Sequence, residues 1–207
     1  MRRFLAALPE GAKPRIVYIS TTGVYGDCRG AWVDEHHPAN PQVDRARRRR
    51  DAELQLLRWR DANRGEVIIL RVAGIYGPGK LPLARLEKQV PMVSEAEAPW
   101  TNRIHIEDLV VVCEAAMSRG RDGECYNVSD GRPGNMRDYF DRVADAFGLP
   151  RAPMISLAEG RDRLSAGLLS YLGESRRLDN RKMVGDLGIS LRYPNLASGL
   201  AACREQA

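Results

Sequence analysis

A chain of 207 residues with a formal net charge of +5 suits one domain with a sizeable core, and permits an anionic partner without specifying one. Cys28, Cys113, Cys125 and Cys203 lie far apart with no C-x-x-C pair, which argues against a disulfide framework and a zinc site and fits a reducing cytoplasm. No apolar stretch approaches the length of a membrane span, so no membrane partner is expected.

Arg2 and Arg3 precede a short run holding Phe4, Leu5 and Leu8, whose one-sided spacing predicts a short helix. Pro9, Glu10 and Lys13 end that run well short of a signal-peptide core. Ile16-Val17-Tyr18-Ile19 then predicts a buried strand that delivers Ser20, Thr21, Thr22, Gly23, Tyr25 and Gly26 to its carboxyl end. In open α/β sheets ligands sit at such ends. A loop with Asp34, Glu35, His36 and His37 follows; the two histidines lack a third ligand at suitable spacing, so no metal is expected.

The stretch 43–62 predicts a long helix with a narrow apolar stripe of Ala46, Leu54, Leu57 and Trp59. Arg45 and Arg47 to Arg50 crowd its first half. Without aromatic interleaving or a nucleic-acid module, the arginine run reads as a solvated face and no nucleic-acid partner is expected. The helix is also a candidate homodimer surface. Val67 to Leu70 predicts a second buried strand, running into Arg71-Val72-Ala73-Gly74-Ile75-Tyr76-Gly77-Pro78-Gly79.

From Lys80 to Pro99 the pattern is poor and reads as a short helix and a hairpin-like excursion. Leu109 to Met117 predicts an apolar helix with Glu107 and Asp108 in its first turn, where acids favour the dipole. Cys125 to Val128 predicts a short strand, Ser129-Asp130-Gly131 a turn, and Asn135 the cap of a helix through Phe147, stopped by Gly148 and Pro150. Leu164 to Leu172 and Leu178 to Leu187 read as helices and loops closing over the sheet ends.

Four stretches in this order resemble the extended short-chain dehydrogenase/reductase superfamily, in its NAD(P)-dependent epimerase/dehydratase group and especially its atypical members. They are Ser20-Thr21-Thr22-Gly23-Val24-Tyr25-Gly26, Leu70 to Gly79, Arg103-Ile104-His105-Ile106-Glu107-Asp108 and Tyr126-Asn127-Val128. The segment Glu174 to Asn180, followed by Leu187-Gly188 and Tyr193-Pro194, resembles the tail of the atypical members. The resemblance implies a Rossmann-like, doubly wound parallel α/β sheet lacking its first strands, in one partial NAD(P)-binding domain over 1–207. Substrate-side elements would be interleaved, mainly in 76–105 and 150–207.

It also implies roles. Thr21 matches the hydroxyl that holds the substrate oxygen. Glu53, after Ala52, fits a family Glu that places the family's catalytic Tyr at Arg45 and its Lys at Arg49. Arginine offers only donors and keeps its proton, so it cannot replace the Tyr as an acid/base, although Arg49 can still bind cofactor hydroxyls. Ser20 and the loop Ala73-Gly74-Ile75 fall on the cofactor side. Thr22 and His105 fall on the substrate side, and His105 and Asp108 serve equally as bridges between loops.

The family's glycine-rich turn for the pyrophosphate is missing: none of the 19 glycines falls in a G-x-G-x-x-G or G-x-x-G-x-x-G pattern after a strand. The expectation is an N-terminally truncated chain whose first strand is left as an edge, and which alone binds NADP or NAD poorly. The expected function is catalytically altered, NAD(P)-dependent epimerase/dehydratase-like oxidoreduction of a small hydroxylated or nucleotide-sugar-like substrate. The alternatives are a non-catalytic NAD(P)-binding or sensor protein, and an inactive fragment.

Overall fold

The computed structural model describes residues 1–206. The elements in chain order are α1 (Arg2–Ala6), β1 (Arg15–Thr21), a 3₁₀ turn (Thr22–Tyr25), β2 (Trp32–Val33), α2 (Asp44–Asp61), β3 (Glu66–Val72) and β4 (Gly74–Tyr76). There follow α3 (Leu83–Glu87), β5 (Met92–Val93), β6 (Trp100–Thr101), β7 (Arg103–His105), α4 (Ile106–Arg119), β8 (Cys125–Val128) and β9 (Gly134–Asn135). The last are α5 (Met136–Phe147), β10 (Met154–Ile155), α6 (Leu157–Arg163), α7 (Ala166–Leu172), β11 (Arg177–Leu178), α8 (Arg181–Leu187) and α9 (Leu196–Glu205).

The main sheet is parallel, in the order β1-β3-β8, with Arg15 opposite Glu66 at one end and Thr21 opposite Val72 at the other. β3 is buried from Val67 onward, as a β-branched run covered on both faces must be. On one face Ile68, Leu70 and Val72 pack against Leu109 and Val112 of α4 and Met183 and Leu187 of α8. On the other, Val67 and Ile69 meet Leu56 and Trp59 of α2. β1 has only β3 as a neighbour among the described residues, and Ile19 is 45% exposed.

A second apolar cluster lies beyond the carboxyl ends of the strands. Phe140, Val143 and Ala144 of α5 gather Leu86, Met92, Val93, Ile155, Leu164, Leu168 and Leu200 from the surrounding short elements. Each such Leu or Ile buried contributes roughly 1.5–3 kcal/mol, enough to hold short helices that would not persist alone.

Two expectations are corrected and one helix is added. The segment 80–99 forms no hairpin: β5 pairs in parallel with β10, Met92 opposite Met154, so its partner is a distant strand rather than its own return. A further helix, α6, is closed by a capping box between Ser156 and Glu159. In α2 the buried positions are Ala46, Ala52, Glu53, Leu56 and Trp59, while Leu54 and Leu57 are half-buried. The stripe is displaced because a carboxylate, Glu53, is among its most buried members.

Candidate functional site

A cavity of about 640 Å³ lies between the two apolar clusters, at the carboxyl ends of β1 and β3. It brings together Thr21, Thr22, Gly23, Arg45, Arg49, Ala73, Gly74 and Ile75, most of the residues singled out from the sequence. Ser20 and His105 are not among its lining residues.

β1 ends where Thr21 turns the chain. Its Oγ1 accepts the Gly23 N–H at 3.2 Å and caps the 3₁₀ turn, which leaves the Thr21 O–H free as a donor. Gly26 closes that turn at φ +68°, where a Cβ would stand 2.2 Å from the Asn40 carbonyl oxygen. Ser20 points the other way, its hydroxyl donating to Glu53 at 2.6 Å.

Glu53 is the centre of a buried floor. Arg71 grips it through Nε at 3.2 Å and Nη2 at 2.9 Å, and Arg50 adds a bond at 2.8 Å. The Arg71 guanidinium lies 4.8 Å from the Tyr25 ring centroid, Tyr25 donates to Asn127 at 2.8 Å, and the Asn127 N–H donates to Glu35 at 2.7 Å. Burial drives the Tyr25 hydroxyl strongly upward and the Cys125 thiol up to about 12, so neither carries a proton to or from the cavity near neutrality.

The walls are cationic. Arg45, Arg49, Lys80, Arg85 and Arg103 line the cavity, and none forms an ion pair among the described residues. Arg176, by contrast, holds Glu174 at 2.8 Å and donates to the Gly26 carbonyl. Arg103 is only 7% exposed; it donates to Thr101 Oγ1 at 2.7 Å and its guanidinium lies 4.0 Å from the Tyr139 ring centroid. Burial pulls its pKa down from the ordinary arginine value, and the nearby Tyr139 and Asp130 offset this only in part.

Arg49 spends its donors on the Ile19 carbonyl at 3.2 Å and the Tyr18 hydroxyl at 3.3 Å. His105 sits beneath the wall with no solvent exposure: its Nδ1 accepts the Glu107 N–H at 3.3 Å to cap α4, and the rings of Tyr76 and Tyr193 enclose it. Asp108 bridges loops as the sequence suggested, accepting the Arg192 and Tyr193 N–H groups at 2.8 and 3.0 Å. His36 and His37 belong to no metal-ligand group among the described residues. No described helix is long and apolar enough to cross a membrane.

Arg103 and Glu174 appear in the sequence motifs without a role. The signal for Arg103 is a cation on the same strand face as His105 in an otherwise apolar setting; nothing local announces that it lacks a partner.

Comparisons with known proteins bear on this arrangement. The model of the NAD dependent epimerase/dehydratase family matches residues 1–129. The chain is 27% identical over 183 residues to Protein YeeZ of Escherichia coli K12, covering 88% of this chain and 60% of YeeZ. It is 28% identical over 214 residues to dTDP-glucose 4,6-dehydratase of Streptomyces antibioticus, covering 95% and 58%. The chain thus spans about three-fifths of the length of these relatives. A conserved protein of unknown function from Silicibacter pomeroyi superposes with a TM-score of 0.83 at 36% identity, over 93% of this chain and 67% of that one. MoeE5 in complex with UDP-glucose and NAD superposes at 0.77 with 22% identity, over 99% and 68%, a likeness of fold; MoeE5 is also solved with UDP-glucuronic acid and NAD.

Proposed function

Since the chain belongs to the NAD-dependent epimerase/dehydratase family, we propose that its cavity binds a small hydroxylated, anionic substrate of the nucleotide-sugar type for NAD(P)-dependent oxidoreduction. The observation that carries this is Arg103, a buried guanidinium on the cavity wall without a carboxylate. A buried charge without an ion pair is costly: Asp130 acts on Arg103 only at longer range, and Glu174 on the cavity lining is held by Arg176, so an anionic ligand would supply the missing contact. The neighbouring cations Lys80 and Arg85 raise the local concentration of anions in the same direction.

The residues present suit one end of the cofactor. Thr21 with its free O–H, and the exposed Gly74 and Ile75 of β4, line the side of the cavity where a nicotinamide ribose and ring would lie. No glycine-rich strand-to-helix turn for a pyrophosphate occurs among the described residues. The bound dinucleotide would supply hydride exchange. Thr21 would donate to the substrate oxygen and hold its carbon toward that surface. Arg45 and Arg49 stabilise negative charge but accept no proton, so water or another group must take the substrate's hydroxyl proton.

A second reading is favoured by the same two arginines. A family fold with donors alone at the proton-transfer positions suits a protein that binds NAD(P) and a sugar-like ligand without turnover. Calorimetric titration with UDP-glucose, followed by the dinucleotide absorbance change in a turnover assay, separates the two. Binding with a Kd below about 1 mM, the usual upper range for substrates, supports the cavity's role. Absence of binding overturns it, and binding without absorbance change selects the second reading.

A further inference from the structure

Arg45 is held in a way that Arg49 is not. Its Nη1 donates to Ser170 Oγ at 2.6 Å, and Ser170 passes its own proton to the Gly167 carbonyl at 2.8 Å. The serine is thereby fixed as an acceptor, and it anchors one nitrogen of the guanidinium. The Tyr171 ring, with its centroid 4.1 Å from Arg45 Cζ, sets the plane. Both partners belong to α7, across the cavity from α2. A guanidinium has five N–H donors in a rigid fork, and this anchoring engages only one edge. Arg49 also engages a single nitrogen, Nη1, but turns it back to the Ile19 carbonyl and Tyr18 hydroxyl of β1, and the Tyr18 ring centroid is 5.9 Å from its Cζ.

Position completes the argument. A Cβ built on Gly23 would lie 3.5 Å from Thr21 Oγ1 and 3.6 Å from Ala46 Cβ, so the residue after Arg45 packs on the turn that carries Thr21. Arg103 is held by a different wall, through Thr101 and Tyr139. The cavity therefore contains two separately preoriented guanidinium groups. One is deep in β7, and the other is held against α7.

We infer that Arg45 is a second anion-binding residue, preorganised by Ser170 and Tyr171, and that the substrate carries a carboxylate on the side of the cavity facing α7 in addition to the anionic group that meets Arg103. This deepens the proposed function and rests on it. Planar, bidentate recognition by a fixed fork favours arginine over lysine, so exchange at this position is not conservative.

UDP-glucose and UDP-glucuronic acid differ by one carboxylate and serve as probes for calorimetry on the full chain. The wild type should bind the acid about tenfold more tightly, the order expected of one charge-assisted pair. Arg45→Lys should abolish that preference, read as the ratio of the two affinities measured on the same variant. Tyr171→Leu, at a residue that is 51% exposed and so not needed for folding, should reduce the preference in part. Equal wild-type affinity for the two probes, or a loss on Arg45→Lys that is the same for both, overturns the inference and leaves the proposed function standing. Failure of both probes to bind wild type overturns the two together.

Discussion

The floor and the wall of the cavity each bury an arginine, and the two are treated oppositely. Arg71 is 6% exposed and meets Glu53 through two nitrogens; Arg103 is 7% exposed and has only a hydroxyl and an aromatic face. Desolvation is similar in both places, so the difference lies in counter-charge. A paired buried ion ties α2 to β3 and is finished business for the fold. An unpaired one beside a cavity is stable only at a cost, and that cost is recovered when an anion arrives.

The sharpest way to break the contrast is to make Arg71 resemble Arg103. Glu53→Gln removes the charge that Arg71 and Arg50 share, and should lower stability by about 3 to 5 kcal/mol, as losing one partner of a buried pair does. Chemical denaturation followed by circular dichroism measures it. A loss below about 1 kcal/mol would mean that the pair is no anchor.

The converse experiment empties the wall. Arg103→Met deletes a desolvated cation together with its contacts to Thr101 and Tyr139, terms of opposite sign that should leave stability within about 1 kcal/mol of wild type. UDP-glucose binding should fall roughly a hundredfold in the same variant, equivalent to about 3 kcal/mol. Stability lost with binding intact would make Arg103 a structural residue and remove the main support for an anionic substrate.

The same wall offers a titration. His105, two residues along β7, is buried in the neutral form, with burial holding its pKa below the ordinary value of 6.5. The unfolded chain therefore binds a proton that the folded chain refuses, and stability falls as pH drops below about 6.5. Asp130, whose N–H donates to the Arg103 carbonyl at 2.7 Å, works the other way. Burial raises its carboxyl from 3.8 to about 6, so the folded state takes up a proton first and gains stability as pH falls from about 6 toward 4. The two effects oppose each other in the wild type. In Asp130→Asn the compensation is gone, so melting temperature should fall more steeply between pH 6 and 4 than in wild type. Parallel curves would place the titrating groups elsewhere.

Much of this arrangement was legible because it is local. The apolar runs before Ser20 and Ala73 and after Glu124 gave the three strands of the sheet, and the hydroxyls and glycines at their ends gave the cavity's position. Asn135 announced its helix by its cap. Ser156 with Glu159 is a comparable local signal for α6. The rest depended on partners far along the chain. Nothing local marks Glu53 as buried, because Arg71 and Ser20 reach it only once the sheet forms. Met92 pairs with Met154 instead of forming a hairpin, and the lack of an ion pair at Arg103 is a property of a packed wall that no local pattern carries.

Ser20 supplies the finest test of the contrast, since it adjoins Thr21 and differs from it only in the face it serves. Its hydroxyl donates to the Glu53 carboxylate at 2.6 Å, while Thr21 keeps its donor for the cavity. Ser20→Ala should cost about 1.5 to 3 kcal/mol of stability, the worth of a buried hydrogen bond to a charged group, with ligand binding unchanged. It should cost less than Glu53→Gln, because Arg71 and Arg50 still satisfy the carboxylate. Thr21→Val should do the opposite, sparing most of the stability and weakening the hold on a substrate oxygen. Paired denaturation and UDP-glucose titrations of the two variants read both quantities. A binding loss in Ser20→Ala equal to that in Thr21→Val would show that the floor and the wall are not separate in function, however differently they are charged.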